Sequence, residues 1–265
     1  MATTIAISGK GGSGKTTLAA MIVRLLCSRT DKAVLAVDAD PNSSLGLTMG
    51  VRPTGTIADI REYARTKKTG NGGMDKVRTF EYGIQQAITE AKGFDLLTMG
   101  RPEGPDCYCA VNNLLRKFLD NLSSAYDFVV VDNEAGMEHL SRRTTNNVDL
   151  LCIVAEPTSL GVLTARRISD LAKGLPIIVK QIGLIWNNNR GPLPVTRDTS
   201  DERRATSDEI ETFGCVPYDQ SVLDISMQGK TIFDLEDNGP AISAVRKILE
   251  RILVLSPSRT TNNEQ

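Results

Sequence analysis

The chain has 265 residues, of which 40% are hydrophobic and 24% are charged, and its formal net charge is −1. This composition is typical of a soluble globular protein, and the near-neutral charge gives no reason to expect a nucleic-acid or membrane partner. Five cysteines do not make a disulfide framework, and no apolar run reaches the ~18 residues that a membrane span needs. Because a strand-like stretch begins at Thr3, we expect no signal peptide and a cytoplasmic location.

Apolar runs rich in β-branched residues recur along the chain and are separated by gaps of helical length. Such runs suit strands that are buried on both faces of a parallel sheet. Their alternation with helices predicts an α/β fold, a doubly wound, mostly parallel sheet that binds ligands at the carboxyl ends of its strands. The predicted strands are Thr3–Ser8, Ala33–Asp38, Asp95–Met99, Asp127–Asp132, Leu150–Ala155, Ile182–Trp186 and Val216–Tyr218.

The gaps between these runs carry apolar residues at helical spacing, as in Leu18–Leu26. Residues 65–76 are polar and glycine-rich, which predicts a surface excursion. Pro240–Leu255 also has helical periodicity, and its few basic residues favour a docked terminal helix over a membrane-surface helix. We therefore expect one domain over residues 1–255 and a flexible tail over residues 256–265.

A glycine-rich loop follows the first predicted strand and opens the first predicted helix. Its sequence matches G-x-x-x-x-G-K-[ST], the phosphate loop of nucleotide hydrolases. The glycines let backbone N–H groups turn toward phosphate oxygens, Lys15 would neutralise the β- and γ-phosphates, and Thr16 would bind Mg²⁺. The predicted nucleotide-binding residues of this loop are Gly9, Lys10, Gly11, Gly12, Ser13, Gly14, Lys15, Thr16 and Thr17.

The loop contains a second lysine, Lys10, in the pattern K-G-G-x-G-K-T. This pattern resembles the deviant Walker A motif of the ATPase class that contains nitrogenase iron protein and the Min, Par and arsenite- or tail-anchor-targeting ATPases. The resemblance implies an ATPase that works as a homodimer, in which Lys10 reaches across to the partner's nucleotide. Its charge would stabilise the transition state of phosphoryl transfer, as an arginine finger does.

Acidic residues end two predicted strands at positions that this class needs. Asp38 and Asp40 lie in D-x-D-P, similar to the first switch of the class. Asp40 would orient or deprotonate the attacking water, and Asp38 would support the magnesium shell. Asp132 ends an apolar strand in the Walker B pattern and would hold magnesium through water, while Gly136 completes D-x-x-A-G, which resembles the second switch that senses the γ-phosphate. The predicted catalytic residues are Lys10, Lys15, Asp40 and Asp132.

Resemblance to the same class implies that adenine binds near the ends of the last two predicted strands. Asn187 would bind the amino group of the base, and the loop at Pro217 would pack on its ring. Because Asn188 and Asn189 follow directly, the sequence leaves open which of the three asparagines reads adenine.

Cys107 and Cys109 form a C-x-C pair in a predicted loop. Thiolates two residues apart can converge on one soft metal ion, and a nearby helix N-terminus would favour the thiolate form. One chain supplies only two sulfurs, whereas a four-coordinate site needs four ligands. A symmetric dimer would supply both cysteines twice and form a four-sulfur site for Ni²⁺ or Zn²⁺ on its two-fold axis.

The segment around this pair, residues 103–116, looks like the C-x-C segment of CooC-type nickel-insertion ATPases. These serve carbon monoxide dehydrogenase, and close relatives serve acetyl-CoA synthase. Residues 132–142 and 216–219 resemble the second switch and the adenine loop of the same family. Over residues 3–250, the resemblance implies a dimeric Mg-dependent ATPase that couples hydrolysis of ATP to ADP with insertion of nickel into a nickel–iron–sulfur enzyme.

Two alternatives stay open. A Min- or Par-like positioning switch would need a basic amphipathic terminal helix or a basic surface stripe, and it leaves the cysteine pair unexplained. An electron-donating ATPase with a bridging iron–sulfur cluster is disfavoured, because the cluster cysteines of nitrogenase iron protein lie far apart in sequence. His139, the only histidine, is more typical of a satisfied or solvated side chain than of a nickel ligand.

Overall fold

The fold is organised around one eight-stranded sheet. The computed structural model describes residues 2–28, 32–66, 82–101, 125–134, 147–175, 177–193 and 210–255. The strands are β1 (Thr3–Gly9), β2 (Val34–Asp38), β3 (Ile88–Ala91), β4 (Phe94–Thr98), β5 (Phe128–Asp132), β6 (Asn147–Ala155), β7 (Ile178–Asn189) and β8 (Glu211–Pro217). Their order is β3-β4-β2-β5-β1-β6-β7-β8, and every neighbouring pair is parallel except β3 and β4.

All seven predicted strands are present, although β6, β7 and β8 begin earlier than predicted. The first half of β7 is interrupted by Lys180 and Gln181 and is mostly exposed or partly buried, so it does not form a continuous apolar run. Strand β3 has no counterpart among the predictions, because it is a short antiparallel edge strand with one buried residue, the polar Thr89. Periodicity identifies the buried middle of this sheet better than its edges.

The helices fill the connections between the strands. They are α1 (Lys15–Cys27), α2 (Ser44–Thr48), α3 (Ile57–Thr66), a helical stretch at residues 82–87, α4 (Ser159–Gly174), α5 (Gln220–Met227), a 3₁₀ turn (Ile232–Asp234) and α6 (Pro240–Leu255). The apolar periodicity of α1 is confirmed, since Leu18, Met21 and Ile22 are buried. The predicted terminal helix is also confirmed as α6.

Both faces of the sheet are covered, so the predicted doubly wound arrangement is confirmed. Neighbouring side chains of β1 alternate between the two cores, as strand geometry requires. Ile5 and Ile7 pack in a core with α1 and α6. Ala6 packs on the opposite face, in a core that includes residues of α3 and α4.

Several predicted features lie outside the described residues, including most of the 65–76 excursion and the tail at 256–265. Of the cysteines that are described, Cys152 is fully buried in β6, and burial raises the pKa of its thiol to about 12. Cys27 and Cys215 are only partly buried. Within the described ranges, no helix has both the length and the apolar character needed to cross a membrane.

One guanidinium fixes the chain before α6 to helix α1. Arg24 lies on α1, and its side chain is only 11% exposed. Its Nη1 donates to the carbonyl of Ile232 at 2.7 Å, and its Nη2 donates to the carbonyl of Leu235 at 2.7 Å and to Asp237 at 2.8 Å. Because the donor is charged and largely buried, these bonds are stronger than neutral ones. Arg24 therefore anchors the 3₁₀ turn to the helix that begins at the phosphate loop.

The substitution Arg24→Met tests this anchor. It keeps an apolar stem but leaves two carbonyls without their donor, so we expect the free energy of unfolding in urea to fall by about 2 kcal/mol. The matched control is Arg251→Met, which removes an exposed pair with Glu211 at 3.3 Å and should change stability by less than about 0.5 kcal/mol. Equal losses in the two variants would contradict the anchoring role.

Candidate nucleotide-binding site

The phosphate loop leaves the sheet at the end of β1, between β5 and β6. From β1 the chain passes to β2 on one side of the sheet and later to β6, β7 and β8 on the other side. The loop therefore lies at the topological switch point, where open α/β sheets bind ligands. Helix α1 begins directly at Lys15, and no side chain caps its N-terminus. Its first N–H groups and positive dipole end are available to an anion.

Two glycines of the loop are required by close approaches. Gly14 has φ 89°, and a Cβ there would lie 2.2 Å from Nδ2 of Asn187. A Cβ at Gly9 would lie 2.3 Å from the carbonyl oxygen of Val154 on β6. The loop can sit this close to β6 and β7 only because neither position carries a side chain.

The two lysines of the loop have different surroundings. Lys15 is buried at 7% exposure, and its Nζ donates to the carbonyl of Lys10 at 3.3 Å. The Lys10 side chain itself is exposed, while its carbonyl also accepts from the N–H of Ser13 at 3.2 Å. Lys15 therefore places its charge inside the loop, and Lys10 presents its charge at the surface.

A cavity of about 460 Å³ opens beside the loop. It brings together residues that were predicted from two parts of the chain, the loop itself and Asp40 after β2. Asn42 and Glu134 also line it, although their sequence patterns assigned no role to either. Glu134 lies two residues after Asp132, and this short spacing is the feature of the sequence that could have indicated its place in the site. The lining residues are Gly11, Gly12, Gly14, Lys15, Thr16, Thr17, Asp40, Asn42 and Glu134.

Asp132 is fully buried at the end of β5, and neither of its carboxylate oxygens has a hydrogen-bond partner among the described residues. Burial, together with the charges of Asp38 and Asp40, raises the pKa of this carboxyl to about 7. Thr16 and Lys15 lie near enough to oppose that rise, but neither side chain makes a hydrogen bond of normal geometry to the Asp132 carboxylate. A divalent cation would relieve both the missing partners and the buried charge, so these residues fit Mg²⁺.

Asp38 is also fully buried, but its oxygens already have partners. They accept the N–H of Leu45 at 2.8 Å and the N–H of Asp40 at 3.3 Å. Burial raises the pKa of Asp38 to about 6, and the backbone donors limit that rise. Because Leu45 lies at the start of α2, Asp38 links the predicted magnesium site to this helix.

The predicted adenine-binding positions meet on the other side of the loop. Asn189 and Pro217 are register partners of β7 and β8, and Nδ2 of Asn187 donates to the carbonyl of Ser13 at 2.8 Å. A second cavity of about 430 Å³ lies here, at the ends of β6, β7 and β8. It is lined by Glu156, Pro157, Thr158, Asn188, Asn189, Arg190, Gly191, Pro192 and Tyr218.

Arg190 and Tyr218, which the sequence analysis did not single out, form one wall of this second cavity. The Arg190 guanidinium lies 3.6 Å from the centre of the Tyr218 ring, a cation–π contact. The N–H of Tyr218 donates to the carbonyl of Asn189 at 3.0 Å, which ties this wall to β7. The wall directly follows Pro217, the residue predicted to pack on adenine.

Four residues discussed in the sequence analysis lie outside the described ranges: Gly136, Cys107, Cys109 and His139. Within those ranges, no group of three or more histidine, cysteine or acidic side chains is arranged to hold a metal ion. The cysteine pair stays a prediction.

Asp132→Asn tests the buried charge. Because the pKa of Asp132 is about 7 in the fold and about 4 in an unfolded chain, folding favours the protonated acid, and stability is lost as the pH rises between these values. In protein free of nucleotide and metal, we expect Asn to stabilise the fold relative to wild type, and this gain to grow by about 2 kcal/mol between pH 5 and pH 8.

Urea unfolding at the two pH values, with and without Mg²⁺, provides the measurement. Asp127→Asn is the control of opposite sign, because Lys32 lowers the pKa of that exposed carboxyl. Loss of the Asp127 carboxylate should lower the free energy of unfolding more at pH 8 than at low pH. A gain from Asp132→Asn that is the same at both pH values would contradict the buried-charge assignment.

Comparisons with known proteins agree with this arrangement. Residues 4–232 match the family model of the CobQ/CobB/MinD/ParA nucleotide binding domain. An uncharacterized ATP-binding protein of Methanocaldococcus jannaschii is 38% identical over 94% of this chain and 98% of its own length. The carbon monoxide dehydrogenase accessory protein CooC of Rhodospirillum rubrum is 32% identical over 94% of this chain and 97% of its own length.

Among solved structures, the MinD cell division protein of Aquifex aeolicus matches with a TM-score of 0.66 and 24% identity, covering 98% of this chain and 99% of that one. This likeness shows a P-loop NTPase fold of the MinD/ParA type. Because the family model spans most of the chain and contains the phosphate loop, the chain belongs to the CobQ/CobB/MinD/ParA nucleotide-binding domain family.

Proposed function

We propose that this chain is a magnesium-dependent ATPase that works as a homodimer. The observation that carries the proposal is the cavity where Lys15, Thr16 and Asp40 meet. Beside it lies the buried carboxylate of Asp132, which has no hydrogen-bond partner among the described residues. The glycine-rich backbone suits phosphate, and the carboxylate suits a divalent cation. Two relatives described as ATP-binding proteins support ATP as the nucleotide.

The contact between Asn187 and the phosphate loop supports adenine as the base. Its Nδ2 is turned toward the Ser13 carbonyl, so Oδ1 is the atom offered to a base. A carbonyl oxygen accepts from the amino group of adenine, whereas guanine would present another acceptor at that position. Asn189 accepts the N–H of Gly191 at 3.3 Å through its own side chain. We therefore assign the adenine contact to Asn187, with Pro217 packing on the ring.

Hydrolysis requires a water molecule in line with the γ-phosphate. As the water oxygen bonds to the γ-phosphorus, Asp40 would accept its proton, and the bond to the bridging oxygen would break with its electrons leaving on ADP. Lys15 and the N–H groups at the start of α1 would hold the phosphate oxygens, and Gly136 would sense the γ-phosphate. Mg²⁺ held by Thr16 and Asp132, with Asp38 in support, would neutralise charge that develops on the phosphates.

The exposed side chain of Lys10 supports a role in a second subunit. A lysine that neutralised its own nucleotide would be expected inside the loop, where Lys15 already lies. In a symmetric dimer that faces the two cavities together, each Lys10 would reach the nucleotide of its partner. Its charge would then stabilise the transition state in trans.

Lys10→Ala should lower kcat for ATP about 100-fold and change KM for ATP less than about threefold, because the lost contact forms mainly in the transition state.

Mixing the Lys10→Ala variant with the Asp40→Asn variant tests whether Lys10 acts on the nucleotide of the partner subunit. A mixed dimer has one site with Asp40 intact and Lys10 supplied by the partner, so about a quarter of wild-type activity should return. Lys247→Ala, at an exposed position of α6, is the control. A mixture that stays inactive would contradict action in trans.

We further propose that ATP hydrolysis is coupled to nickel insertion, with carbon monoxide dehydrogenase or acetyl-CoA synthase as the client. The C-x-C pair of Cys107 and Cys109 supports this proposal by its soft ligands. So does the 32% identity to a carbon monoxide dehydrogenase accessory protein across nearly the full length of both chains. Two chains would bind one Ni²⁺, or Zn²⁺, through four sulfurs.

The double substitution Cys107→Ser and Cys109→Ser should remove nickel from the dimer and leave ATP binding unchanged. Metal content is measured by mass spectrometry on dimer fractions, with and without a non-hydrolysable ATP analogue. Cys215→Ser, at the partly buried position on β8, is the matched control and should retain one nickel per dimer. Retention of stoichiometric nickel by the double variant would contradict the site.

A MinD- or ParA-like positioning switch is the second candidate, since the septum site-determining protein MinD of Bacillus subtilis is 28% identical over 93% of this chain. The packing of α6 argues against a membrane-bound version that uses this helix. Its apolar residues Ala241, Ile242, Val245, Ile248, Leu249 and Ile252 are buried in the core. An electron-donating ATPase would instead show the visible absorption of a bridging iron–sulfur cluster after anaerobic purification.

A further inference from the structure

Asp40 is held in one orientation by the residue two positions after it. Oδ1 of Asp40 accepts the backbone N–H of Asn42 at 2.8 Å and the side-chain Nδ2 of Asn42 at 2.9 Å. Both donors bind the same oxygen, and both residues line the cavity beside the phosphate loop. The carboxylate is therefore clamped through one oxygen, and Oδ2 is left to accept from another molecule.

The backbone of Asp40 is fixed as well. Its N–H donates to Oδ1 of the fully buried Asp38 at 3.3 Å, and its carbonyl accepts the N–H of Ser43 at 2.9 Å. Pro41 follows directly and restricts the chain further. With the main chain held at these points, the Asn42 amide acts on the remaining freedom, the rotation of the Asp40 side chain.

We propose that Asn42 is a positioning residue for Asp40, and that its side-chain amide turns Oδ2 toward the attacking water. The inference rests on the proposed ATPase reaction, in which Asp40 accepts the proton of that water. A base held by two donors loses little freedom when the reaction begins, so more of its encounters with water are productive. Asn42 would contribute to the rate without binding the nucleotide.

The cavity contains a second described carboxylate, Glu134, which makes a useful comparison. It is reached from β5, and its neighbour Asn133 is fixed by two bonds to the carbonyl of Ile7, each 3.0 Å long. Asn42 donates to Asp40, so its loss should act through Asp40. If the effect of losing Asn42 depends on Asp40 and not on Glu134, then Asn42 acts by positioning Asp40 and not by changing the cavity as a whole.

A double-mutant cycle on ATP hydrolysis tests the proposal. Asn42→Ala should lower kcat roughly 10- to 100-fold, because small displacements of a catalytic group have effects of this size. KM for ATP should stay within about twofold, since no nucleotide contact is lost. In the Asp40→Asn background the same substitution should have almost no further effect, whereas in the Glu134→Gln background its full effect should persist.

The outcomes separate this inference from the proposed function. If the wild-type chain with Mg²⁺ does not hydrolyse ATP, the proposed function fails. If wild type is active and Asn42→Ala matches it in kcat, or raises KM instead, the positioning role is wrong. A full further loss in the Asp40→Asn background would also overturn it. Thermal unfolding of each variant identifies any loss that comes from a damaged fold.

Discussion

Two carboxylates buried side by side, at the ends of neighbouring strands, are the constraint on which this site depends. The parallel register of β2 and β5 pairs Asp38 with Asp132, and neighbouring strands lie about 4.8 Å apart. Burial raises the pKa of each acid, and the negative charge of Asp38 contributes to the raised pKa of Asp132. The fold therefore holds unfavourable electrostatics that a bound cation would relieve, so binding and stability are linked.

The phosphate loop is also the point where the two halves of the site meet. On one side, Asp38 accepts the N–H of Leu45 and so connects the acidic edge to α2. On the other, Asn187 donates to Ser13 within the loop, and a side chain at Gly14 would collide with that amide. Because Asn187 contacts the phosphate loop at Ser13 and Gly14, a nucleobase bound to Asn187 and a phosphate bound to the loop would affect the same contacts. Nucleotide binding would thus be felt at both cavities together.

Much of this site follows from local sequence, and the rest depends on tertiary contacts. The phosphate loop and the buried strands could be predicted, because a glycine-rich turn between strand and helix, and apolar runs, are local signals. Strand β3, a short edge strand, and the first half of β7, which Lys180 and Gln181 interrupt, could not, because neither forms an apolar run. The burial of the Asp132 carboxylate without a hydrogen-bond partner in the described ranges, and the contact of Arg190 with the Tyr218 ring, arise only when distant strand ends meet.

The topology also relates the proposed nickel site to the proposed ATPase site. Strand β4 ends at Thr98, the register partner of Asp38, so the chain leaves β4 at the edge of the sheet that carries the phosphate loop. Cys107 and Cys109 follow in the connection from β4 to β5. In the proposed dimer, ATP would draw two chains together at this edge. A dimer closed by nucleotide would then assemble its four-sulfur site, and hydrolysis would open both.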